Sequence, residues 1–473
     1  MKRLTVGLAG LMQINFTGDK QGVFRRAITE LEQLSEKLGF EFKPYTKLMV
    51  TGSNAAEGAA WLEREGCDFV LVLAASFAAG EAILPFARMN ARIGIWAIPE
   101  PNTTGEVALN SFCAINMQAG IMTAYLKEYS IPFKWFFGWT DGERFLPRFR
   151  ATVAALTALK NMRGARVALV GGIAPGFNDL YYDERLAEKR LGVTIERNAE
   201  FEDAERLALG YTEAEAREAV AFFIRGYREI AEGSKPMLEL QARFCRAYAE
   251  IAERDGYDAL AVSCWPKIQS RHGLVACAIL GRLNEQGVPA ACEGDAPGAV
   301  SQLFLKYVSF GGTTTLLDMA GFDEADDTLN LWHCGPAAPG LADGCGACMR
   351  ELTHHTKDDT LIHLPSYNDL RFKPGAATVM RFTGEWDSMF LLGGGFIDRP
   401  KDCFAGSSGW FGSLRFAGKP ASALDVTNTI LTRGFQHHYP LVYGDYVSAC
   451  MEAAAWLGLK QVETMPYAEY LQR

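Results

Sequence analysis

The sequence lacks the features that mark several large function classes. No apolar run reaches the roughly 20 residues a helix needs to cross a bilayer, so no membrane span is expected. A basic excess is missing: 47 Lys and Arg stand against 56 Asp and Glu, a net charge of −9. That balance gives no electrostatic reason to bind nucleic acid or an anionic membrane. There is no internal repeat, low-complexity tract or long run of one charge. Neither the G-x-G-x-x-G nor the P-loop pattern occurs, so nucleotide binding is not expected, and there is no G-x-S-x-G elbow. The eleven cysteines are scattered, an odd number in a large chain, and Cys264 and Cys292 sit inside apolar runs. This usage fits a reduced, cytoplasmic protein with buried thiols rather than a disulfide framework. The opening MKRLTVGLAGLMQINFTGDK joins a basic pair to a short apolar run. Gln13 and Asn15 interrupt that run and no small-residue cleavage pattern follows, so it reads as a first strand rather than a secretory signal.

What is present is the composition of a globular protein, 49% hydrophobic and 22% charged over 473 residues. That length exceeds one ordinary core and predicts two or three domains. Apolar runs at 4–10, 69–76 and 93–101 are continuous and alternate with helical patterns. One such pattern places Val23, Phe24, Ala27, Ile28, Leu31, Leu34 and Leu38 on one face. Continuous apolar strands separated by helices predict a parallel sheet covered on both sides. A Rossmann-like or flavodoxin-like α/β domain is therefore expected over residues 1–162. A second α/β domain, 163–310, restarts at RVALVGGIAPGF. It includes a capping box, Thr212 with Glu215, that opens a long helical region, and the strands ALAVSCWP and GVPAAC. From 311 to 473 the chain becomes β-rich with Gly-rich turns, which predicts an antiparallel, barrel-like domain. A final helix is expected with Asp445 as its N-cap.

Ligands in open parallel sheets sit beyond the carboxyl ends of the strands. In GVPAACEGDAPGA (287–299) an apolar run stops at Glu293. Asp295 then occupies an N-cap position with Pro297 in the first turn, so it is assigned to capping. Glu293 is left without a structural task. The next apolar run, GGTTTLLDMAG (311–321), is read as ending at Asp318. If the two strands are neighbours, about 4.8 Å apart, both carboxylates reach one rim and can share an ion or flank a substrate. His333 ends another apolar run, in LNLWHCG. Adjacent histidines on a strand point to opposite faces, so no more than one of His437 and His438 is expected to face a given site. Two acids and one His form an O/O/N set suited to Mn²⁺, Mg²⁺ or Co²⁺. CGAC (345–348) has half-zinc-site spacing, but no second pair follows, and it reads as a glycine-rich loop with incidental thiols. THHTKDD (353–359) reads as an exposed polar loop rather than a metal site.

CWPKIQSRHG, GVPAACEGDAPGA, LLDMAG, LWHCG and HHYPLVYGDY together resemble the L-fucose isomerase and L-arabinose isomerase family, and the three-domain layout extends the resemblance along the chain. The resemblance implies a metal-dependent aldose–ketose isomerase, usually with Mn²⁺. Carried over residue by residue, it makes Glu293, Asp318 and His438 the metal ligands, with Glu293 and Asp318 also moving the proton between C1 and C2. It makes His333 a further site residue and leaves His437 beside the substrate. Asp at 318 is as in fucose-type enzymes, whereas the chain is shorter than those enzymes in its C-terminal region. Trp265 and Gln269, just past a strand end, are candidate sugar contacts. The family is typically hexameric with sites completed by a neighbouring subunit, which makes Gln13 a candidate supplied across an interface. It also resembles enzymes acting on sulfonated sugars such as sulfoquinovose, for which an anion-reading cation is needed; Arg271 is the candidate. Two other readings compete: a non-catalytic cytoplasmic sugar-binding protein, and a zinc or thiol enzyme built on Cys334, Cys345 and Cys348.

Overall fold

The computed structural model describes residues 1–355 and 361–472, with side chains described outside 352–365. The segment at 353–359 therefore lies outside the described side chains. The chain forms two compact units, Met1–Lys160 and Asn161–Arg473. Among the described residues no helix is long and apolar enough to cross a membrane.

The first unit is a five-stranded parallel sheet. Its strands are β1 (Thr5–Leu11), β2 (Glu41–Met49), β3 (Phe69–Ala74), β4 (Arg92–Ala97) and β5 (Phe133–Phe137), in the order β2-β1-β3-β4-β5. β1 and β3 are buried at every position. A strand covered on both faces has no polar side to alternate with, which is why these runs are continuously apolar. The helix Lys20–Leu38 buries Phe24, Ala27, Leu31 and Leu34 on one face; Asp19 caps its start and Gly39 ends it in the left-handed conformation.

The second unit opens with β6 (Arg166–Val170), β7 (Thr194–Glu196), β8 (Tyr227–Ile230), β9 (Ala259–Val262) and β10 (Ala290–Ala291). Four of them form a parallel sheet, ordered β10-β9-β6-β7. The Thr212–Glu215 capping box is present, with both reciprocal bonds. The helix it opens ends at Phe223, however, and β8 interrupts the expected long helical region before the helix Leu238–Asp255.

The remaining strands are β11 (Thr314–Asp323), β12 (Thr328–His333), β13 (Ala347–His355), β14 (Leu361–Arg371), β15 (Gly375–Phe382), β16 (Met389–Phe396), β17 (Ser407–Phe416), β18 (Lys419–Pro420) and β19 (His438–Tyr443). The antiparallel order β12-β11-β19-β15-β16-β17 closes on itself through a β17–β12 pairing, making a barrel. Closure leaves no open edge on that path. β14, β13 and β8 continue from β17. Two parallel-sheet α/β regions followed by an antiparallel closed barrel are thus the architecture expected from the sequence.

The helix Ala296–Val308 explains why the second sheet and the barrel make one compact unit. It packs on β6, β9 and β10 on one side and on β11, β15 and β19 on the other. Nearly every residue from Ala296 to Val308 is buried. A helix apolar all round belongs between two layers rather than on a surface.

Three local expectations are corrected. Asp318 lies in the middle of β11, not at its end, because the strand continues to Asp323. β10 and β11 belong to different sheets, so Glu293 and Asp318 do not sit on neighbouring strands. The final helix, Val447–Leu457, has Tyr446 rather than Asp445 at its N-cap; Asp445 accepts from Val447 N at 3.3 Å and pairs with Arg415.

Candidate metal and sugar site

The site forms where the carboxyl end of the parallel sheet meets the barrel rim, within the second unit. Five chain segments converge there. The turn after β10 brings Cys292, Glu293 and Asp295, the adjacent barrel strands β12, β11 and β19 bring His333, Asp318 and His438, and the loop after β6 brings Phe177 and Asp179.

The turn after β10 is backbone-determined. Glu293 (φ 60°) and Gly294 (φ 71°) both adopt the left-handed region, which is uncommon for a residue with a side chain and clusters at functional sites. Backbone bonds hold the turn: Gly294 N donates to Val262 O at 3.0 Å and Ala174 N to Glu293 O at 2.9 Å. A Cβ on Gly294 would meet Gly172 O at 2.2 Å. Gly294→Ala is therefore expected to lower stability by at least about 2 kcal/mol and to push the β6 loop off the Glu293 turn. Chemical denaturation together with metal titration of the variant checks this.

Asp295 carries out the expected capping, with Oδ1 accepting from Gly298 N at 2.8 Å. It has two further partners that the sequence did not reveal. Arg381, from β15, forms a bidentate pair with it, Nη1 to Oδ2 at 2.6 Å and Nη2 to Oδ1 at 2.8 Å. His438 Nδ1 lies 2.9 Å from Oδ2. Asp295 and Arg381 are both fully buried. Burial alone would raise the Asp295 pKa, but the charge of Arg381, with His438, holds the carboxyl well below the usual range. A carboxylate on Nδ1 fixes the ring so that Nε2 presents its lone pair, the arrangement that orients metal-binding histidines.

Three donor atoms stand around that Nε2 at similar distances: Glu293 Oε2 at 3.5 Å, Asp318 Oδ1 at 3.7 Å and Cys292 Sγ at 3.6 Å. Asp318 and His438 are direct cross-strand partners in β11 and β19, which places their side chains on one face. Asp318 Oδ1 is buried and has no hydrogen-bond partner. A buried, unsatisfied carboxylate oxygen is costly unless something else balances it. Two donors bound to one ion at about 2.0–2.3 Å lie roughly 3–4 Å apart, so each of the three stands at a suitable distance from Nε2, but Asp318 is in neither of the groups whose ligand atoms are all mutually close.

His437 also reaches the cluster, which corrects the expectation that only one of the pair does. It precedes β19, so strand alternation does not govern its direction. Its Nε2 is 3.2 Å from Glu293 Oε2, and its Nδ1 is 2.6 Å from Asp179 Oδ2. Burial lowers the His437 pKa, but bonds to Glu293 and Asp179 outweigh it and lift the value to about 9. Glu293, His437 and His438 present ligand atoms within 4.8 Å of one another, and so do Cys292, His333 and His438; either group could hold a metal ion.

His333 ends β12 and lies beside His438, ring centroids 5.4 Å apart. Cys334 N donates to its Nδ1 at 2.8 Å, which leaves the proton of the neutral ring on Nε2, 3.0 Å from Cys292 Sγ. Trp265 stands edge-on to Phe177 (6.0 Å), and Phe177 packs on His437 (5.5 Å), giving an aromatic wall. Gln269 is half-buried in the short helix Lys267–His272. Arg271 is in the same helix, with its guanidinium bonded to Glu202 and Glu205 at 2.8 and 2.7 Å. That charge is already balanced within the helix surface. Gln13 belongs to the first unit, where its backbone N–H donates to Ser76 Oγ at 2.9 Å. Cys345 is exposed and Cys348 buried, and neither belongs to a metal-competent group among the described residues.

The structure therefore brings together Glu293, Asp318, His333, His437 and His438, with Trp265 reaching them through Phe177. Sequence reasoning missed Asp179, Cys292, Arg381 and the orienting role of Asp295. Asp179 carried the same signal as Glu293, an acid beyond a strand end. Arg381 carried none, because its partner is 86 residues away.

No known protein-family model matches the chain. The chain is 24% identical over 405 residues to the sulfoquinovose isomerase of Priestia megaterium, covering 83% of this chain and 84% of that protein. It is 25% identical over 408 residues to the sulfoquinovose isomerase of Alkalicoccus urumqiensis, covering 84% and 86%. To the sulfoquinovose isomerase of Clostridium sp. (strain MSTE9) it is 27% identical over 378 residues, covering 77% and 79%. Across most of its length, then, this chain is similar to enzymes named as isomerases of one sugar.

Proposed function

We propose that this protein is a metal-dependent aldose–ketose isomerase, and that its substrate is a modified hexose of the sulfoquinovose kind. The observation that carries the chemistry is the Glu293, His437 and His438 group, which could hold a metal ion, with the orphaned Asp318 Oδ1 3.7 Å from His438 Nε2. The substrate class rests on the relatives' names. The reading stays within the fucose- and arabinose-type resemblance of the motifs.

Glu293, Asp318 and His438 would hold the ion, with Mn²⁺ the first expectation and Mg²⁺ or Co²⁺ as alternatives. Once bound, a divalent ion supplies Lewis-acid polarisation of a carbonyl oxygen and stabilises negative charge developing beside it. The chain's own residues supply the proton transfer. Glu293 takes the proton from one of the two carbons, C1 or C2, and returns one to the other, and Asp318 handles the hydroxyl proton. His437, charged at neutral pH and held by Asp179, fixes the Glu293 carboxylate through its Nε2–H. Trp265 and Phe177 offer an apolar face to the sugar ring, His333 and Gln269 flank it, and Arg271 is the candidate for a sulfonate, which would have to replace its present partners Glu202 and Glu205. The reading includes a homo-oligomer, by resemblance a hexamer, in which a neighbour's Gln13 loop completes the site. It also keeps the division 1–162, 163–310 and 311–473 and a cytoplasmic location. A sugar receptor without catalysis leaves the paired carboxylates around one histidine without a task.

The test is a panel of aldoses, neutral and sulfonated, assayed with Mn²⁺ before and after chelation. Metal-dependent conversion, fastest with sulfoquinovose, is the expected result. Conversion of no aldose under any metal condition overturns the reading.

A further inference from the structure

Cys292 has no part in the proton transfer, yet its sulfur lies in a group with His333 and His438 that could hold a metal ion. It is buried, as are His333 and His438. Its Sγ is 3.6 Å from His438 Nε2, close to the roughly 3.5 Å between a sulfur and a nitrogen sharing a tetrahedral ion at about 2.3 and 2.0–2.1 Å. The His333 Nε2–H, 3.0 Å away, points at the same sulfur. His438 Nε2 has one lone pair, so an ion engaging the sulfur and an ion engaging both carboxylates compete for it.

We propose that Cys292 gives this centre a second, thiophilic binding mode. In it, Cys292 Sγ and His438 Nε2, two members of a buried group that could hold a metal ion, take Cd²⁺ or Zn²⁺ in place of the hard ion. Binding forms a metal–sulfur bond and releases the thiol proton to solvent. Soft thiolate donors select such ions, whereas carboxylates suit Mn²⁺ and Mg²⁺. The centre is then inhibited by thiophilic ions through displacement, with His438 as the shared ligand. The proposal rests on His438 being a metal ligand but not on the sugar reaction.

The test uses the full metal-free chain titrated with Cd²⁺ and followed by ultraviolet thiolate-to-cadmium charge-transfer absorption. A saturable band is expected in the wild type, with a component suppressed by prior saturation with Mn²⁺. In Cys292→Ser that Mn²⁺-sensitive component is expected to vanish, with Cd²⁺ binding weakened by at least about tenfold. Full retention of that component in a folded Cys292→Ser overturns the proposal. So does a wild-type band that Mn²⁺ leaves untouched, a measurement that needs no variant. A Cd²⁺ band with these properties and no aldose turnover would leave this inference standing while removing the isomerase reading. Turnover without the band would do the reverse.

Discussion

Replacing Glu293 by Gln is expected to reduce aldose turnover by at least about 10³-fold. General acid–base catalysis by a placed group contributes roughly 10²–10⁴-fold, and the variant also loses an anionic donor at the metal centre. The amide is isosteric, so it keeps the left-handed turn and still offers an oxygen to His437 Nε2. The fold should be retained, and the thermal transition of the metal-free variant should stay near that of the metal-free wild type. The loss should appear mainly in kcat, with weaker Mn²⁺ binding measured by calorimetry. A folded variant with full activity would remove Glu293 from the reaction and with it the proposed mechanism.

The second large effect concerns stability. Asp295→Ala is expected to cost about 3–5 kcal/mol, because it leaves the Arg381 guanidinium buried and uncompensated, with about 1 kcal/mol more for the lost cap. Asp295→Asn should keep the cap and lose the charge pairing. Combining it with Arg381→Met should recover part of the stability, since removing both charges avoids the orphaned one. Metal affinity should not recover in the double variant. The carboxylate that turns His438 Nε2 outward is still missing, and losing such an orienting partner costs about 10–100-fold in affinity. A double variant that regained both would show Asp295 to be structural only. The pH dependence has a defined sign. Asp295 is depressed in the folded state, so its contribution is complete above the unfolded carboxylate pKa and is lost as pH falls through the lower folded value. The stability gap between wild type and Asp295→Asn should therefore narrow only in strongly acid solution.

Much of this protein was legible in local patterns. Continuous apolar runs between helical periods indicated buried parallel strands, because a strand covered on both faces has no polar alternation to show. Glu293 stood out as an acid after a strand with no capping task, and Asp295 stood out as a cap because Pro297 follows it in the first turn. The family-like segments carried His333, Asp318 and the histidine pair. Other features were not local. Asp318 was read as a strand end, but β11 runs five residues further, since its second half pairs with β12 across the barrel. Glu293 and Asp318 were expected to share a rim if their strands were neighbours, whereas those strands belong to two different sheets held together by the helix Ala296–Val308. The sequence by itself singled out the candidate ligating and acid–base residues, because residue type and strand-end position are properties of a short window. Tertiary structure alone decided that His437 joins His438 at Glu293, that Asp179 and Arg381 belong to the site, and that Cys292 faces the metal donors. Those pairings span from 86 to 258 residues of chain, and packing rather than any local preference brings such distant groups into contact.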